Sequence, residues 1–317
     1  MLIKYLSDNL VLTTDFIQEL ANTADDRYNK FSVPKKNGGT RVIYQPQKEL
    51  KLIQRVLHDD FLKKIIAHPA CSAYCDGSSV KKNAERHKSN KYLLRLDFVD
   101  FFKSITSNDV LHFLADNKLH NDWTTHDTEL FLKLVCFKGR LTMGGVTSPI
   151  LSNLVCNNLD VAINDISISL GITYSRYADD IYLSTNNPNI LFCMPGKVIS
   201  LLRSIEYPNY LILNTKKTNH SSKKNKMMIT GLILTNDGEV SLGRKKKREI
   251  KTLVYIWETL SIERRKYLQG YLSYCASVEP LFINSLCEKF SAKKIKDIQS
   301  YKFQSSNSSV PSKILTK

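Results

Sequence analysis

Two adjacent carboxylates, Asp179 and Asp180, lie between short apolar stretches that are typical of β-strands. Like charges side by side repel, and packing of the surrounding strands removes the water that would stabilise them. Neighbouring residues of a regular strand point to opposite faces, so the pair shares a task only if a tight turn at Ala178-Asp179 brings both to a hairpin tip. A divalent cation would then offset the repulsion. The alternative is a solvated turn, which explains most Asp-Asp pairs in hairpins.

A third carboxylate, Asp97, follows the apolar stretch "KYLLRL" at 91–96. A carboxylate at the end of a core strand is costly unless it is paired or bound to a metal. Three carboxylates from two strands would hold two Mg²⁺ ions about 3.5–4 Å apart, which is the arrangement used for in-line phosphoryl transfer. One ion would lower the pKa of an attacking hydroxyl, and the other would neutralise a leaving pyrophosphate.

The charge balance favours a polyanionic partner. The 317 residues include 46 Lys and Arg against 30 Asp and Glu, a formal charge of +16. Such an excess raises encounter rates with polyanions, so nucleic acid is the first partner to consider and an anionic membrane surface is the alternative. No run of eighteen apolar residues exists, and Asp8 comes too early for a signal peptide. We therefore expect a cytoplasmic protein that does not enter a membrane.

The seven cysteines indicate neither secreted disulfides nor a zinc site. Their odd number and scattered positions do not form a disulfide framework. Cys71 and Cys75 form one close pair, but no second pair completes a tetrahedral site. We expect both to be ordinary half-buried thiols.

Helical and strand patterns alternate along the chain, which predicts an α+β fold. Helices are expected at 1–30, 47–67, 108–117 (with Ser107 as N-cap), 126–137, 148–169, 196–205 and 244–298. Strands are expected on both sides of Asn37-Gly38-Gly39, at 91–102, around Asp179, and in "LILNTKKT" (211–218) and "MMITGLIL" (227–234). The Ser-rich residues at the end of the chain, 299–317, are expected to be disordered.

Five stretches resemble, in order, the motifs of reverse transcriptases. "LRLDFVDFF" and "SRYADDIYLS" resemble the palm motifs, and "RLTMGGVTSPILSNL" resembles the Leu-Pro-Gln-Gly-Ala-Pro-x-Ser-Pro motif between them. "LILNTKKT" resembles the Asn-x-Lys-Lys-Thr segment, and "ITGLIL" resembles the primer-grip hairpin. The resemblance implies a right-hand polymerase with an antiparallel palm sheet that carries the YADD hairpin. Its parts would be an N-terminal helical segment (1–27), fingers (28–90 and 106–165), palm (around Asp97 and 166–238) and a basic helical thumb (239–298).

Within that family the chain looks most like the retron group. "NAERH" (83–87) matches the group's Asn-Ala-x-x-His signature, Ile229-Thr230-Gly231 resembles its Val-Thr-Gly, and "VSLGRKKKREIK" (240–251) resembles the start of its thumb. This resemblance implies an enzyme that copies part of its structured noncoding RNA into single-stranded DNA. Priming would use the 2′-hydroxyl of an internal guanosine and leave a branched RNA–DNA molecule, and a separate effector protein would act with it in anti-phage defence. No segment resembles an RNase H domain.

Two other functions remain open. One is another bacterial reverse transcriptase, intron-type or defence-associated, with a different primer. The other is a catalytically silent RNA-binding scaffold, against which the presence of all three of Asp97, Asp179 and Asp180 argues.

The resemblance also implies roles for individual residues at the reaction centre. Asp97, Asp179 and Asp180 would be the metal ligands. Phe102 would block a 2′-hydroxyl so that dNTPs are the substrates, whereas the alternative is that Phe101 and Phe102 belong to the core. Lys217 would donate a proton or positive charge to the leaving pyrophosphate, and the sequence does not separate it from Lys216.

Further residues would contact template, primer or nucleotide. Met143-Gly144 replaces the family's Gln-Gly, and Gly144 would still allow a base pair to approach the backbone. Arg244, Lys245 and Arg248 would contact phosphates, or form a solvated helix face. Asn83 and His87 would bind the RNA, although His87 could equally be a buried, hydrogen-bonded histidine.

Overall fold

The computed structural model describes residues 1–35, 38–117 and 123–303. The chain divides into two compact units. The first comprises Met1–Thr230 and Leu234–Glu239, and the second comprises Gly231–Ile233 and the chain from Val240 onwards. In the described parts of the chain, no helix is long and apolar enough to cross a membrane.

The first unit mixes helices with short antiparallel strands. Its elements are α1 (Leu2–Leu10), α2 (Thr14–Asn22), β1 (Tyr28–Pro34), β2 (Thr40–Pro46), α3 (Lys48–Val56), α4 (Val80–Glu85), β3 (Tyr92–Asp97), α5 (Ser107–Asp116), α6 (Thr125–Val135), α7 (Ser148–Val155), α8 (Asn157–Ser169), β4 (Thr173–Tyr177), β5 (Asp180–Thr185), α9 (Met194–Ser204), β6 (Asn219–Ser222) and β7 (Met227–Ile229). Strand β8 (Leu232–Leu234) follows, with residues in both units.

The central sheet of the first unit has four strands in the order β4-β5-β3-β6, all antiparallel to their neighbours. Leu94 and Leu96 on β3 lie opposite Leu183 and Ile181 on β5. All four are buried in the apolar core, which continues into the helices. Burial of these side chains fixes the register, because a shift of one residue would turn them to the opposite face. The expected α+β fold with an antiparallel sheet is confirmed.

The second unit is mainly helical. It contains β9 (Val240–Ser241), α10 (Arg244–Tyr255), α11 (Ile262–Val278), α12 (Pro280–Phe290) and α13 (Ala292–Ser300). Ser261 and Ser291 cap α11 and α13 through side-chain oxygens that accept backbone N–H bonds. The segment predicted to be disordered was given a boundary at residue 299, which is too early because α13 continues to Ser300. Residues 304–317 lie outside the described part of the chain.

Several predicted boundaries need correction. The N-cap of α5 is Thr106 rather than Ser107, because Thr106 and Asp109 exchange hydrogen bonds in a capping box. The helix predicted at 148–169 is interrupted at Cys156 and forms α7 and α8. The helix predicted at 47–67 changes after Val56 into a wide turn and then a tight turn that ends at Lys64.

The strand predictions were too long in two places. The strand predicted at 91–102 ends at Asp97, and a short 3₁₀ turn follows at Phe101–Ser104. "LILNTKKT" is not a strand: Leu213 forms one isolated bridge to Phe98, and Thr215–Lys217 is a 3₁₀ turn. β-propensity failed in this segment because it makes few ladder hydrogen bonds to stabilise an extended chain.

Candidate active site

Three carboxylates meet at one end of the central sheet. Asp97 is the last residue of β3 and lies opposite Asp180, the first residue of β5. Ala178 and Asp179 form the two-residue turn that joins β4 to β5, so Asp179 directly precedes Asp180. Ala178 has a φ of 55°, so the turn uses a left-handed backbone conformation at a small residue. The adjacent carboxylates therefore do not lie on one regular strand.

Cationic side chains pair with two of the three carboxylates. Lys217 Nζ donates to Asp97 Oδ1 and Oδ2 at 2.8 and 3.1 Å. Arg95 contacts Asp180 Oδ1 through Nε at 2.9 Å and Nη2 at 2.8 Å. The Tyr182 hydroxyl donates to Asp180 Oδ2 at 3.0 Å. The site thus balances its negative charge with cations from β3 and from the turn that contains Lys217.

Burial and mutual repulsion disfavour the charged forms of two carboxylates. Burial raises the pKa of Asp179 above its ordinary value, and the neighbouring charge of Asp180 raises it further. Burial also raises the pKa of Asp180, although the Arg95 guanidinium opposes this effect. A cation placed between these groups would relieve both costs.

The donor chemistry suits a divalent cation, because carboxylate oxygens are the ligands that Mg²⁺ prefers. In this structure, however, Asp97 and Asp180 are turned toward Lys217 and Arg95. Within the described ranges, no group of three or more His, Cys, Asp or Glu side chains is arranged so that it could hold a metal ion. A metal ion at this site would therefore compete with Lys217 and Arg95 for the oxygens of Asp97 and Asp180.

A cavity of about 440 Å³ adjoins the carboxylates. Asp179 and Lys217 line it on one side, and Lys35 and Arg41 from the β1–β2 hairpin contribute two further cations. The remaining lining residues are Thr40, Val42, Tyr74, Phe98, Asp100, Phe101, Phe102, Lys103, Thr142 and Met143. Cations next to aromatic and apolar side chains are suited to a ligand that carries both phosphates and an apolar ring system.

The structure separates two pairs of neighbours that the sequence could not. Both rings line the cavity, but Phe101 is 4% exposed and stacks on Phe98, whereas Phe102 is only partly buried and packs against the core. Lys217 contacts Asp97, whereas Lys216 is an exposed residue of the same turn. Lys217 and Phe102 are therefore the members of each pair that are placed to act at the site.

Close packing of strand β2 is a second reason for glycine at position 144. A Cβ atom on Gly144 would lie 2.5 Å from the carbonyl oxygen of Tyr44 and 2.8 Å from Ile43 Cγ2. Tyr44 N also donates to the Met143 carbonyl at 2.9 Å. Strand β2 thus makes a close approach that requires glycine, and the approach of a base pair to Gly144 stays a prediction. Ser148 and Pro149 begin α7, as predicted.

The expectation that Asn83 and His87 bind RNA directly needs correction, because both residues are fully buried. Asn90 Nδ2 donates to Ser184 Oγ at 2.7 Å, and Ser175 Oγ donates to Asn83 Oδ1 at 2.7 Å. His87 lies between the two serines, with Nδ1 2.7 Å from Ser184 Oγ and Nε2 2.8 Å from Ser175 Oγ. In a neutral imidazole one ring nitrogen donates and the other accepts, so the two serine hydroxyls satisfy both nitrogens of His87. The signature residues therefore join α4 to the sheet behind the carboxylates.

The basic run on α10 divides by exposure. Arg244, Lys245 and Arg248 are exposed, whereas Lys246 and Lys247 are half-buried and pair with acidic residues of the same unit. The three residues predicted to contact phosphates are thus the accessible ones.

Sequence reasoning missed a buried polar network behind the turn. Arg176 donates to both carboxylate oxygens of Asp160 at 2.7 and 2.6 Å. Its Nη1 also donates to Asn153 Oδ1 at 3.3 Å and to the carbonyl of Ala178 at 3.2 Å. Arg176 directly precedes the YADD stretch, but sequence position alone did not distinguish it from a solvated arginine. Lys35, Arg41 and Tyr74 were also missed as cavity residues, although strands were predicted on both sides of Asn37-Gly38-Gly39.

Comparisons with known proteins identify the family of the chain. A family model described as reverse transcriptase (RNA-dependent DNA polymerase) matches residues 33–253. The retron Ec83 reverse transcriptase of Escherichia coli is 34% identical over 90% of this chain and 94% of its own length. The retron Ec73 reverse transcriptase of the same species is 31% identical over 93% and 96%.

Among solved structures, a telomerase from Candida albicans bound to a TWJ fragment of telomeric RNA matches with a TM-score of 0.48 and 12% identity, over 86% of this chain and 61% of that one. Reverse transcriptase domains generally use divalent metal ions, and their template is RNA. The chain is an RNA-directed DNA polymerase that belongs to the reverse transcriptase family and, within it, to the retron reverse transcriptases.

Proposed function

We propose that this chain copies part of a cognate structured noncoding RNA into single-stranded DNA, starting from the 2′-hydroxyl of an internal guanosine. The product would be a branched RNA–DNA molecule, and the system would act in anti-phage defence with a separate effector protein. The observation that carries the proposal is the meeting of Asp97, Asp179 and Asp180 beside a cation-lined cavity, in a chain similar to retron reverse transcriptases over nearly its whole length.

In this proposal Asp97, Asp179 and Asp180 hold two Mg²⁺ ions, which would activate the attacking hydroxyl and neutralise the leaving pyrophosphate. The residues of the chain do the rest. Lys35 and Arg41 bind the triphosphate of the dNTP, since both line the cavity. The oxygen of the primer hydroxyl attacks the α-phosphorus, and the bond between the α-phosphorus and the oxygen shared with the β-phosphate breaks.

Two residues adjust that step. Lys217 Nζ leaves Asp97 and either donates a proton to the departing pyrophosphate or stabilises its negative charge. The Phe102 ring occupies the space beside the sugar, so that a 2′-hydroxyl does not fit.

The other assignments follow the two compact units. The fingers would span 28–90 and 106–165, the palm would surround Asp97 and include 166–238, and the thumb would span 239–298. The start of the second unit at Val240 supports this boundary. The exposed Arg244, Lys245 and Arg248 would contact phosphates of the template–primer duplex without reading its sequence.

Co-purified nucleic acid tests the proposal. The chain is expressed with its native flanking DNA, beside an Asp179→Asn/Asp180→Asn double variant and an Asp165→Asn control, which changes an exposed carboxylate on α8. The samples are treated with RNase and run on a denaturing gel before and after debranching enzyme. We expect a short DNA, shifted by debranching, from the wild type and the control only.

Other results would favour the alternatives. Linear DNA that debranching does not shift would keep the polymerase and replace the 2′ priming. RNA without DNA in all samples would support a silent RNA-binding scaffold.

A further inference from the structure

Tyr74 belongs to the cavity beside the carboxylates, together with Phe102 and Asp179. The residue is 49% exposed, and its ring centroid lies 6.5 Å from that of Phe102 at an interplanar angle of 48°. Two neighbouring aromatic rings therefore line the cavity that Asp179 also lines.

The backbone places Tyr74 in an uncommon conformation. Its φ is 59°, in the left-handed region that bulky side chains rarely adopt. The buried Asn153 amide donates to the Ala73 carbonyl at 2.7 Å and lies 3.7 Å from Cys75 Sγ. One buried side chain thus contacts both neighbours of Tyr74, and such over-determined conformations are concentrated at functional sites.

The same network reaches the catalytic turn. Asn153 Oδ1 accepts a hydrogen bond from Arg176 at 3.3 Å, and Arg176 donates to the carbonyl of Ala178, next to Asp179, at 3.2 Å. Cys71, three residues before Tyr74, also forms a parallel bridge to Arg176 of β4. Shared buried contacts therefore connect the chain on both sides of Tyr74 with the backbone next to Asp179.

We propose that Tyr74 is a specificity-determining residue, whose ring contacts the sugar of the incoming nucleotide and acts with Phe102 to exclude a 2′-hydroxyl. This role rests on the proposed nucleotide cavity. The C2′ methylene of a deoxyribose packs favourably on an aromatic face, whereas a hydroxyl held between two rings without a hydrogen-bond partner is costly. Burial and the charge of Asp179 raise the pKa of the Tyr74 phenol, so its hydroxyl stays protonated.

Primer extension on an RNA template with the full chain tests the role. Steady-state kcat and KM are measured for dGTP and GTP in wild type, Tyr74→Phe, Tyr74→Ala, Tyr74→Gly and Phe102→Ala. Glycine removes the ring and suits the positive φ, so Tyr74→Gly stays folded even where alanine is strained. The matched control is Tyr210→Ala, which removes a tyrosine of similar exposure (57%) that does not line the cavity.

We expect Tyr74→Ala and Tyr74→Gly to raise KM for dGTP and to increase the relative use of GTP, each by about tenfold, the loss typical of one apolar contact in a pocket. Tyr74→Phe and Tyr210→Ala should behave as wild type. If Tyr74→Gly still preferred dGTP over GTP as strongly as wild type while Phe102→Ala lost that preference, the role of Tyr74 would be overturned and that of Phe102 would stand. A wild-type chain that extends no primer would overturn the proposed function and this inference with it.

Discussion

Arg176 and Asp160 form a salt bridge in which both side chains are fully buried. Two donor nitrogens of Arg176 meet two oxygens of Asp160, and the Tyr174 hydroxyl donates to Asp160 Oδ1 at 2.6 Å. A buried ion pair offers little net stability over apolar packing, but loss of one partner leaves a charge without compensation. Because Arg176 also donates to the Ala178 carbonyl, the pair connects helix α8 to the turn that carries Asp179.

Replacement of Asp160 by Asn tests this connection. The variant leaves the Arg176 guanidinium buried without its counter-charge, so we expect the free energy of unfolding to fall by about 3–5 kcal/mol. Urea denaturation followed by circular dichroism measures it. Asp165→Asn, on the exposed face of the same helix, should change stability by about 0.5 kcal/mol or less. Equal effects of the two substitutions would show that the buried pair has no special role.

Lys217 is the second target. Its Nζ lies 2.8 Å from Asp97 Oδ1, whereas Lys216 is exposed beside it. General acid catalysis by a positioned side chain typically contributes about 10²–10⁴-fold, so Lys217→Ala should lower kcat for primer extension by at least about 10²-fold. Lys216→Ala, the matched control, should stay close to wild type.

A third variant separates proton donation from charge. Lys217→Arg keeps the positive charge, but a guanidinium does not release its proton at physiological pH. Low single-turnover rates in both Lys217→Arg and Lys217→Ala would identify a proton donor, and recovery in Lys217→Arg would identify electrostatic stabilisation. Wild-type rates in Lys217→Ala would remove this residue from the mechanism.

The sequence predicted the α+β class and the order of most elements, because the apolar residues of β3 and β5 follow a clear strand pattern. It also predicted that Asp97 lies close to Asp179 and Asp180, since adjacent carboxylates within apolar strands conflict with burial and so stand out. What it could not predict were the directions in which individual side chains point. Thr106 caps α5 in place of Ser107 because of where its own side chain points, which composition does not reveal.

Buried polar residues were the least predictable part of the site. His87 appears in the sequence as a candidate for RNA contact, and only the positions of Ser175 and Ser184 show that both ring nitrogens are satisfied inside the protein. The burial of Arg176 was equally hard to predict, since Arg176 lies on β4 and its partner Asp160 lies on α8. A charged or polar residue type does not by itself indicate burial, because that depends on the partners that tertiary structure supplies.

Gly144 is predicted to be irreplaceable for steric reasons. Its φ of 110° and the 2.5 Å separation of a built Cβ from the Tyr44 carbonyl oxygen leave no room for a side chain. We expect Gly144→Ala to lower the free energy of unfolding by about 1–3 kcal/mol, the usual cost of overpacking, and to displace β2 with Arg41. Chemical denaturation measures the first effect, and KM for dNTP measures the second.

The control for that variant is Gly196→Ala. Gly196 lies in α9 with open space around a built Cβ, so alanine should stabilise the helix by about 0.5–1 kcal/mol. If Gly144→Ala were as stable as Gly196→Ala, strand β2 would have to move freely away from Met143-Gly144.

The buried imidazole of His87 makes stability depend on pH. Burial, with a smaller contribution from Arg86, lowers the pKa of His87 to about 3, against an ordinary value near 6.5. Between these values the unfolded chain binds a proton that the folded chain excludes, so stability rises with pH and is lost as pH falls from 6.5. We expect a loss of up to about 1.4 kcal/mol per pH unit below 6.5, measured by urea denaturation at pH 7 and pH 5.

His87→Asn removes the titrating group, so its free energy of unfolding should be lower than that of wild type at pH 7 but should lack this part of the pH dependence. His126→Asn, at an exposed position, should retain the wild-type slope. The comparison is one of slopes and not of absolute stabilities, because the lost hydrogen bonds to Ser175 and Ser184 lower stability at every pH. Identical slopes in wild type and His87→Asn would mean that folding does not change the pKa of His87, contrary to the effect expected from its complete burial.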